Sequence, residues 1–365
     1  MKYTDRAEAV LLLEDGTFFR GKSIGFKGTK GGEICFNTGM TGYQEIYTDP
    51  SYYGQIMVNT NAHIGNYGAI STESESDSPK IFGVVTNNFS ESFSRFNGEE
   101  SLHVFLGRHG VPGISDVDTR AIVRHIRSKG AMNAIISSEI TDISALQMEL
   151  DKVPSMEGLE LSSIVSVKES YETGPQDGIK LAVMDYGIKS SILKQLSIRG
   201  FKCKVFPAKT GFNETEEWKP SAYFLSNGPG DPAVMRYAID NTKEIIASGK
   251  PLFGICLGHQ LIAQANGIGT FKMYNGHRGL NQPVKNLLTG KGEITSQNHG
   301  FSVIAEDVHN TDTVEITHVN LNDDTIEGLQ MKNKKVFSVQ YHPESSPGPH
   351  DSRYLFDQFI SLINL

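Results

Sequence analysis

One cysteine lies in a segment whose residue types could support nucleophilic catalysis. The segment GICLG places Cys256 between Gly254 and Gly258, directly after an apolar run. This is the pattern of a nucleophile elbow, in which the side chain stands on a sharp strand-to-helix turn and the glycines let the backbones approach closely. A helix beginning here would favour the thiolate through its free N–H groups and dipole. The alternative is a buried structural thiol, because free cysteine is usually buried.

A histidine and a glutamate near the C-terminus could complete a catalytic triad. The segment VFSVQYHPE has a strand pattern, and Pro343 favours an extended conformation for His342. Alternation along the chain would place His342 and Glu344 on the same side, so that one imidazole nitrogen faces the thiol and the other bonds the carboxylate. The alternative is an exposed strand end. The presence of GICLG in the same half of the chain favours the catalytic interpretation.

Two glycines in the segment SNGPGDP could stabilise an oxyanion. Gly228 and Gly230 follow an apolar strand pattern. Their N–H groups, together with that of Leu257 after the cysteine, could face a developing negative charge. The alternative is a plain turn.

The C-terminal half alternates strands and helices, which positions these motifs. The strand patterns are 181–187, 202–207, 222–225, 251–255 and 336–341, and the helix patterns are 188–200, 234–249 and 257–267. This alternation predicts a mostly parallel sheet with helices on both faces. Ligands bind at the carboxyl ends of the strands in such sheets, where SNGPG and GICLG fall.

The N-terminal half reads as short strands and turns with one helix at 118–129, capped by Asp118 or Thr119 and ended by Gly130. The polar, turn-rich segment 168–178 predicts a domain boundary. The fold class is therefore α/β: a β-rich α/β N-terminal domain over 1–175, followed by the sheet domain over 179–365.

Composition excludes several classes of protein. The chain has 365 residues and a net charge of −8, which disfavours an electrostatic nucleic-acid binder. Its three cysteines are widely separated, which argues against disulfides and a structural zinc site and favours a reducing, cytoplasmic compartment. We expect no signal peptide, no membrane span and no metal ligand set.

The motifs LSNGPGDP, PLFGICLGHQ, NHGF and QYHPE, in that order, resemble a class I, triad-type glutamine amidotransferase domain. The segments FNTGMTGYQEIYTDPSYYGQI, HIGNYG and GVPGISDVDTRAIVRHIRSKGAMNAII resemble the N-terminal domain of the carbamoyl-phosphate synthase small-subunit family. The resemblance spans nearly the entire chain. It implies hydrolysis of L-glutamine to glutamate, with ammonia delivered to a partner active site.

The resemblance also implies roles for individual residues. Cys256 would be the nucleophile, His342 the general acid–base and Glu344 the residue that orients it. Backbone and side-chain groups would hold glutamine, and they belong to Gly39, Gly228, Gly230, Leu257, Gln260, Asn298, Gly300 and Phe301. The NHGF segment is predicted to be both a turn between strands and part of the site.

The sequence departs from the family pattern in two places. Gly39 stands where many members have a serine that touches glutamine, so only its backbone could make a contact. The segment GHRGLNQPV carries Arg278, Leu280 and Gln282 where many members read GHHGGNHPV. The sequence assigns these three residues no role.

The resemblance implies a large subunit as partner, in a heterodimer or a higher assembly of heterodimers. ATP and Mg²⁺ (or Mn²⁺) would bind that subunit, with no cofactor on this chain, which agrees with the lack of a G-x-x-x-x-G-K-[ST] loop. The product would be carbamoyl phosphate, made from bicarbonate for pyrimidine and arginine biosynthesis. Two rival functions are a stand-alone cysteine-dependent γ-glutamyl hydrolase and a non-catalytic interaction subunit.

Overall fold

The computed structural model describes residues 6–364, which form two compact units divided between Met156 and Glu157. This division lies upstream of the segment 168–178, in which the sequence placed the boundary. The physical reason is that the intervening chain bonds to the C-terminal unit: the Gly158 N–H donates to the Asp231 carboxylate, and the Ser162 hydroxyl donates to the Pro229 carbonyl. The two domain assignments, 1–175 and 179–365, stay predictions.

The N-terminal unit is built around a β-barrel. Its strands are β1 (Glu8–Leu13), β2 (Phe18–Gly25), β3 (Thr29–Asn37), β4 (Gln55–Asn59), β5 (His63–Ile64), β6 (Gly83–Val85), β7 (Asn88–Phe89), β8 (Pro112–Ser115) and β9 (Met132–Ser137). Its α-helices are α1 (Tyr43–Thr48), α2 (Leu102–Arg108), α3 (Thr119–Lys129) and α4 (Ile143–Leu150). The barrel closes in the order β1-β2-β8-β6-β4-β3-β9, and β5 pairs with β7 apart from it.

Alternating side chains on β1 show how the barrel is stabilised. Leu11 packs in a cluster that draws on other barrel strands and on α3, whereas Leu12 packs against α4 on the other side. Helix α3 begins and ends as predicted, because the Asp118 carboxylate caps the Ala121 N–H and Gly130 adopts a positive φ of 92°. The barrel was not predicted from the sequence beyond its richness in strands.

The C-terminal unit is a mixed sheet with helices on both faces. Its strands are β10 (Tyr171–Thr173), β11 (Ile179–Asp185), β12 (Phe201–Pro207), β13 (Ala222–Leu225), β14 (Leu252–Ile255), β15 (Thr270–Asn286), β16 (Gly292–Val303), β17 (Val314–Asn320), β18 (Ile326–Met331) and β19 (Val336–Val339). Its α-helices are α5 (Ser162–Val165), α6 (Ser190–Ser197), α7 (Phe212–Glu217), α8 (Arg236–Ala247), α9 (Leu257–Ala265), α10 (Ala305–His309) and α11 (Tyr354–Asn364).

The strand order is β10-β12-β11-β13-β14-β19-β18-β17-β15-β16. The consecutive neighbours β12, β11, β13, β14 and β19 pair in parallel. At one end β10 is antiparallel to β12, and at the other end the pairing becomes antiparallel from β19 to β18 onward. The α/β prediction is confirmed, and the predicted motifs all border the parallel part or its antiparallel extension.

Burial of both faces explains the apolar runs in these strands. On β11, Val183 packs against α6 and α11, whereas Met184 faces α8 and α9. A parallel strand covered on both sides needs apolar residues at every position. In the range 6–364, no helix combines the length and apolar character needed to cross a membrane.

Candidate active site

Cys256 occupies a strained turn between β14 and α9. Its backbone has φ 54° and ψ −102°, a conformation that costs a non-glycine residue about 1–3 kcal/mol and is typical of functional sites. Glycines make the turn feasible: a Cβ on Gly254 would lie 2.7 Å from the Gly258 carbonyl carbon, and one on Gly258 would lie 2.3 Å from the Leu225 oxygen. The Cys256 N–H donates to the Val339 carbonyl (2.9 Å), which fixes the turn against β19.

The SNGPG turn lies directly beside this elbow. The Gly258 N–H donates to the Ser226 carbonyl at 3.1 Å. A Cβ on Gly228 would lie 2.9 Å from the Leu257 side chain and 2.1 Å from the Tyr186 oxygen, so only glycine fits there. Gly230, with φ 98°, pairs instead with Glu160 from the chain just before the sheet. The structure therefore places Gly228 against the Leu257 side chain, and their role in an oxyanion site stays a prediction.

His342 and Glu344 form a buried pair. The Nδ1 atom of His342 lies 2.8 Å from a Glu344 carboxylate oxygen, and both residues are at most 2% exposed. Strand alternation does not explain this contact, because β19 ends at Val339. Instead, the His342 N–H donates to the Ser296 carbonyl (2.9 Å), and the chain turns after that bridge.

Lys189 is a site residue that sequence reasoning missed. Its ammonium donates to the Glu344 carboxylate at 2.9 Å, and it is 4% exposed. It precedes α6, far from Glu344 in the sequence, and no motif marks it. A lysine directly after the strand end LAVMDYG, at the ligand edge of the sheet, was the one available signal.

The charges of these groups set the protonation states of the pair. Burial raises the pKa of Glu344, but the ammonium of Lys189 and the imidazolium of His342 outweigh it and lower that pKa to about 2. Burial lowers the pKa of His342, but Glu344 and Cys256 outweigh it and raise that pKa to about 10. Within the described part of the chain, Nε2 of His342 has no hydrogen-bond partner of normal geometry. The Cys256 sulfur is nevertheless close enough to raise the pKa of His342.

The NHGF segment, 298–301, is not a turn. It lies within β16, which pairs with β15 over nearly its whole length, so the predicted turn is wrong. Extended pairing is possible here because a shift in register between Lys272 and His277 absorbs the irregular part of β15. The segment reaches the cysteine directly: the Cys256 thiol donates to the Asn298 carbonyl at 3.6 Å.

Gln260 ties the helix after the cysteine to the same strand. Its amide donates to the Phe301 carbonyl (2.9 Å) and to the Gln340 side chain (3.0 Å). Gly300 lies beside two cations, since a Cβ there would be 3.3 Å from Lys272 and from Arg278. Asn298, Gly300, Phe301 and Gln260 thus lie in one continuous network at the elbow.

Four further residues singled out in the sequence have contacts of their own. Gly39 belongs to the N-terminal unit, where its N–H donates to the Asn37 side chain at 2.7 Å, and its contact with glutamine stays a prediction. Arg278 is buried and donates to the Asn275 carbonyl (2.8 Å). The Gln282 side chain accepts from Asn322, and Leu280 is half-buried.

Two family models match the chain. Residues 182–362 match the glutamine amidotransferase class-I family, and residues 11–136 match the CPSase domain of the carbamoyl-phosphate synthase small chain. The first match covers the elbow, the SNGPG turn, the NHGF strand and the His342–Glu344 pair.

Full-length relatives agree with both models. The carbamoyl phosphate synthase small chain of Thermosynechococcus vestitus is 46% identical, with 97% of this chain and 96% of the relative covered. The protein of that name from Chlorobaculum tepidum is 46% identical and that from Akkermansia muciniphila 47% identical, with 97% of this chain and of each relative covered. The chain therefore belongs to the carbamoyl phosphate synthase small chain family and carries its glutamine amidotransferase domain.

Proposed function

We propose that this chain is the glutaminase subunit of a carbamoyl-phosphate synthase. It hydrolyses L-glutamine to L-glutamate through a thioester on Cys256 and passes ammonia to a large subunit. The observation that carries the proposal is the buried His342–Glu344 pair beside the strained Cys256 elbow. This arrangement combines a nucleophile, a proton-transfer group and an orienting carboxylate.

The first half of the reaction forms the thioester. Cys256 gives its thiol proton to Nε2 of His342, and the resulting thiolate attacks the side-chain amide carbon of glutamine, whose carbonyl oxygen takes the negative charge. The N–H groups of Gly228 and Leu257 stabilise that oxyanion. His342 gives its Nε2 proton to the amide nitrogen, the C–N bond breaks, and ammonia leaves. A His342 pKa near 10 means that the imidazole holds this proton at neutral pH.

The second half releases glutamate. His342, now neutral, takes a proton from a water molecule, whose oxygen attacks the thioester carbonyl. The C–S bond breaks, glutamate leaves and the thiolate is restored. Glu344 keeps Nδ1 of the imidazole protonated throughout, so that Nε2 is the nitrogen that exchanges protons.

Ammonia then serves the partner. We propose that the large subunit binds ATP, Mg²⁺ or Mn²⁺ and bicarbonate and makes carbamoyl phosphate for pyrimidine and arginine biosynthesis. The complex is a cytoplasmic heterodimer or a higher assembly of heterodimers. Family membership and the presence of both matched segments in one chain support this division of labour.

The test is replacement of Cys256 by serine. The hydroxyl keeps the volume of the turn but is a poor nucleophile, so glutamine-dependent carbamoyl phosphate synthesis by the complex should vanish. Synthesis from ammonium chloride should persist, because that route does not use the thiol.

The matched control is Cys35→Ser in the barrel. That thiol donates to Gln55 (3.4 Å), and a hydroxyl can do the same. Both nitrogen sources should support normal rates in this variant. Retained glutamine-dependent synthesis by Cys256→Ser would refute the proposed nucleophile, and carbamoyl phosphate made by the isolated chain would refute the need for a partner.

A further inference from the structure

A second group of buried polar side chains lies beside the NHGF strand. His277 on β15, His299 on β16 and Glu327 on β18 each offer one ligand atom, and these atoms lie within 4.8 Å of one another. Glu327 is fully buried and His299 is 5% exposed. The carboxylate oxygen of Glu327 is 3.4 Å from His277 Nδ1 and 4.0 Å from His299 Nε2. The mechanism proposed above uses none of these three side chains.

The ring nitrogens that point away from Glu327 form hydrogen bonds that determine which nitrogen of each histidine is protonated. His277 Nε2 lies 2.8 Å from the Asp323 carboxylate, and His299 Nδ1 lies 2.8 Å from the Phe301 carbonyl. Both partners are acceptors, so these nitrogens carry protons. In the neutral imidazoles, His277 Nδ1 and His299 Nε2 therefore present lone pairs toward Glu327.

This arrangement matches the usual surroundings of histidines that bind metal ions. Such histidines donate their other ring N–H to a carboxylate or a backbone carbonyl, which fixes the tautomer. Asp323 and Phe301 supply one partner of each kind. The side-chain oxygen of Gln297, whose nitrogen donates to Thr295, lies 3.1 Å from His299 Nε2, so in the metal-free chain this acceptor competes for a proton on that nitrogen.

Among the described residues, only one oxygen of the Glu327 carboxylate lies within reach of donors of normal geometry. One oxygen accepts from the Asn320 amide at 3.1 Å. Within residues 6–364, the other oxygen has no hydrogen-bond partner of normal geometry. A buried charge without full compensation is costly, and either a proton or a bound cation at this position offsets that cost.

We propose that His277 Nδ1, His299 Nε2 and the Glu327 carboxylate bind a divalent transition-metal ion of the Zn²⁺ type, with water as the fourth ligand. Zinc bonds of about 2.0–2.2 Å place neighbouring ligands about 3.3–3.5 Å apart in a tetrahedron. The His277–Glu327 pair already has this spacing, the His299–Glu327 pair must close from 4.0 Å by about half an ångström or slightly more, and the nitrogens of the two histidines, now within 4.8 Å of each other, must reach it too.

The ion would stabilise the structure and would take no part in the hydrolysis of glutamine. It would join β15, β16 and β18 beside Asn298 and Gly300, and so fix the strand that we assign to glutamine binding. The guanidinium of Arg278 is close enough to lower the pKa of His299, and its positive charge opposes the ion, whereas the Asp323 carboxylate bonded to His277 offsets that charge. This inference stands whether or not the proposed function is correct.

The test uses the full chain, stripped with a chelator and titrated with Zn²⁺ against a chromophoric competitor. We expect one tight site per chain. Glu327→Gln and His277→Asn should each weaken Zn²⁺ binding by more than about 100-fold, and Asp323→Asn by about 10–100-fold. His309→Gln, which removes an exposed histidine from the same unit, should leave binding unchanged.

Co²⁺ binding to the wild-type chain keeps the test independent of how the variants fold. A tetrahedral nitrogen–oxygen site gives visible d–d absorption without a sulfur-to-cobalt charge-transfer band. A charge-transfer band would place the ion on a cysteine and overturn the proposal. Failure of the wild-type chain to bind Zn²⁺ more tightly than Glu327→Gln would overturn it as well, and would mean that a proton on His277 neutralises Glu327.

Discussion

A histidine lies against a buried glutamate at two places in the C-terminal unit. The Nδ1–carboxylate distance is 2.8 Å for His342 and Glu344, and 3.4 Å for His277 and Glu327. Burial raises the pKa of both carboxyls. Lys189 and His342 outweigh this effect at Glu344, whose pKa falls to about 2, whereas the pKa of Glu327 remains raised.

The difference comes from the second partner of each carboxylate. Glu344 has an ammonium 2.9 Å away, and Glu327 has a neutral amide from Asn320 at 3.1 Å. A full charge at that distance interacts with a carboxylate far more strongly than an amide does in a buried environment. One pair is therefore held as a fixed ion pair suited to orienting an imidazole, and the other can still accept a cation.

In the proposed mechanism only His342 of the first pair transfers protons, so its replacement should give the largest effect. His342→Asn should lower glutamine hydrolysis by about 10²–10⁴-fold, because general acid–base help is lost. His277→Asn should lower kcat by less than tenfold. Steady-state glutaminase assays on the complex give both values, and equal losses from the two variants would contradict the distinction.

Replacement of Lys189 should make the surroundings of Glu344 more like those of Glu327, because the ammonium partner is lost. Lys189→Met keeps the length of the side chain but leaves Glu344 without its ammonium partner. Breaking a buried ion pair in this way typically costs about 3–5 kcal/mol, so the free energy of unfolding should fall by about that amount. Urea denaturation measures it, with Lys243→Met as a control on an exposed pair. A loss as small as that of the control would show that Lys189 does not stabilise Glu344.

Loss of the orienting carboxylate should cost less activity than loss of the imidazole. Glu344→Ala leaves the proton-transfer group present but less well oriented, and we expect kcat to fall by about 10–100-fold. The same glutaminase assay applies, with His342→Asn measured in parallel. If Glu344→Ala is as damaging as His342→Asn, Glu344 does more than orient the imidazole.

Parts of the site that depend on neighbouring residues could be predicted from the sequence, whereas contacts between distant residues could not. The Cys256 elbow was predictable because its glycines are needed for close approach within a few residues of chain. The contact between His342 and Glu344 was predicted from alternation, yet it depends on the bridge to Ser296. Lys189 could not be paired with Glu344 from the sequence, since only the sheet topology brings them together.

The same reasoning accounts for the errors in the fold. NHGF has the composition of a turn, but pairing with β15 keeps it extended, so tertiary contacts override local preference. The bonds of Gly158 and Ser162 to Asp231 and Pro229 leave no sequence pattern, so they could not be used to place the boundary that the sequence predicts at 168–178. The strands of the barrel are recognisable singly, whereas their closure depends on pairings between distant segments.

The smallest expected effect is the difference in protonation between the carboxyls of Glu327 and Glu344. The folded pKa of Glu327 lies above its ordinary value of 4.5, so the folded chain keeps a proton there that the unfolded chain has lost. Glu327 therefore lowers the free energy of unfolding as pH rises from 4.5 through its folded pKa, by at most about 1.4 kcal/mol per pH unit. Glu344 has the opposite sign: its contribution is complete above 4.5 and is lost as pH falls through about 2. Infrared difference spectra of the metal-free chain, recorded as pH falls toward 4.5, should show the carbonyl band of a protonated carboxyl. That band should disappear in Glu327→Gln and persist in Glu344→Gln. A band that depends on Glu344 instead would reverse the comparison, because the lysine-paired carboxyl would then be the one that holds the proton.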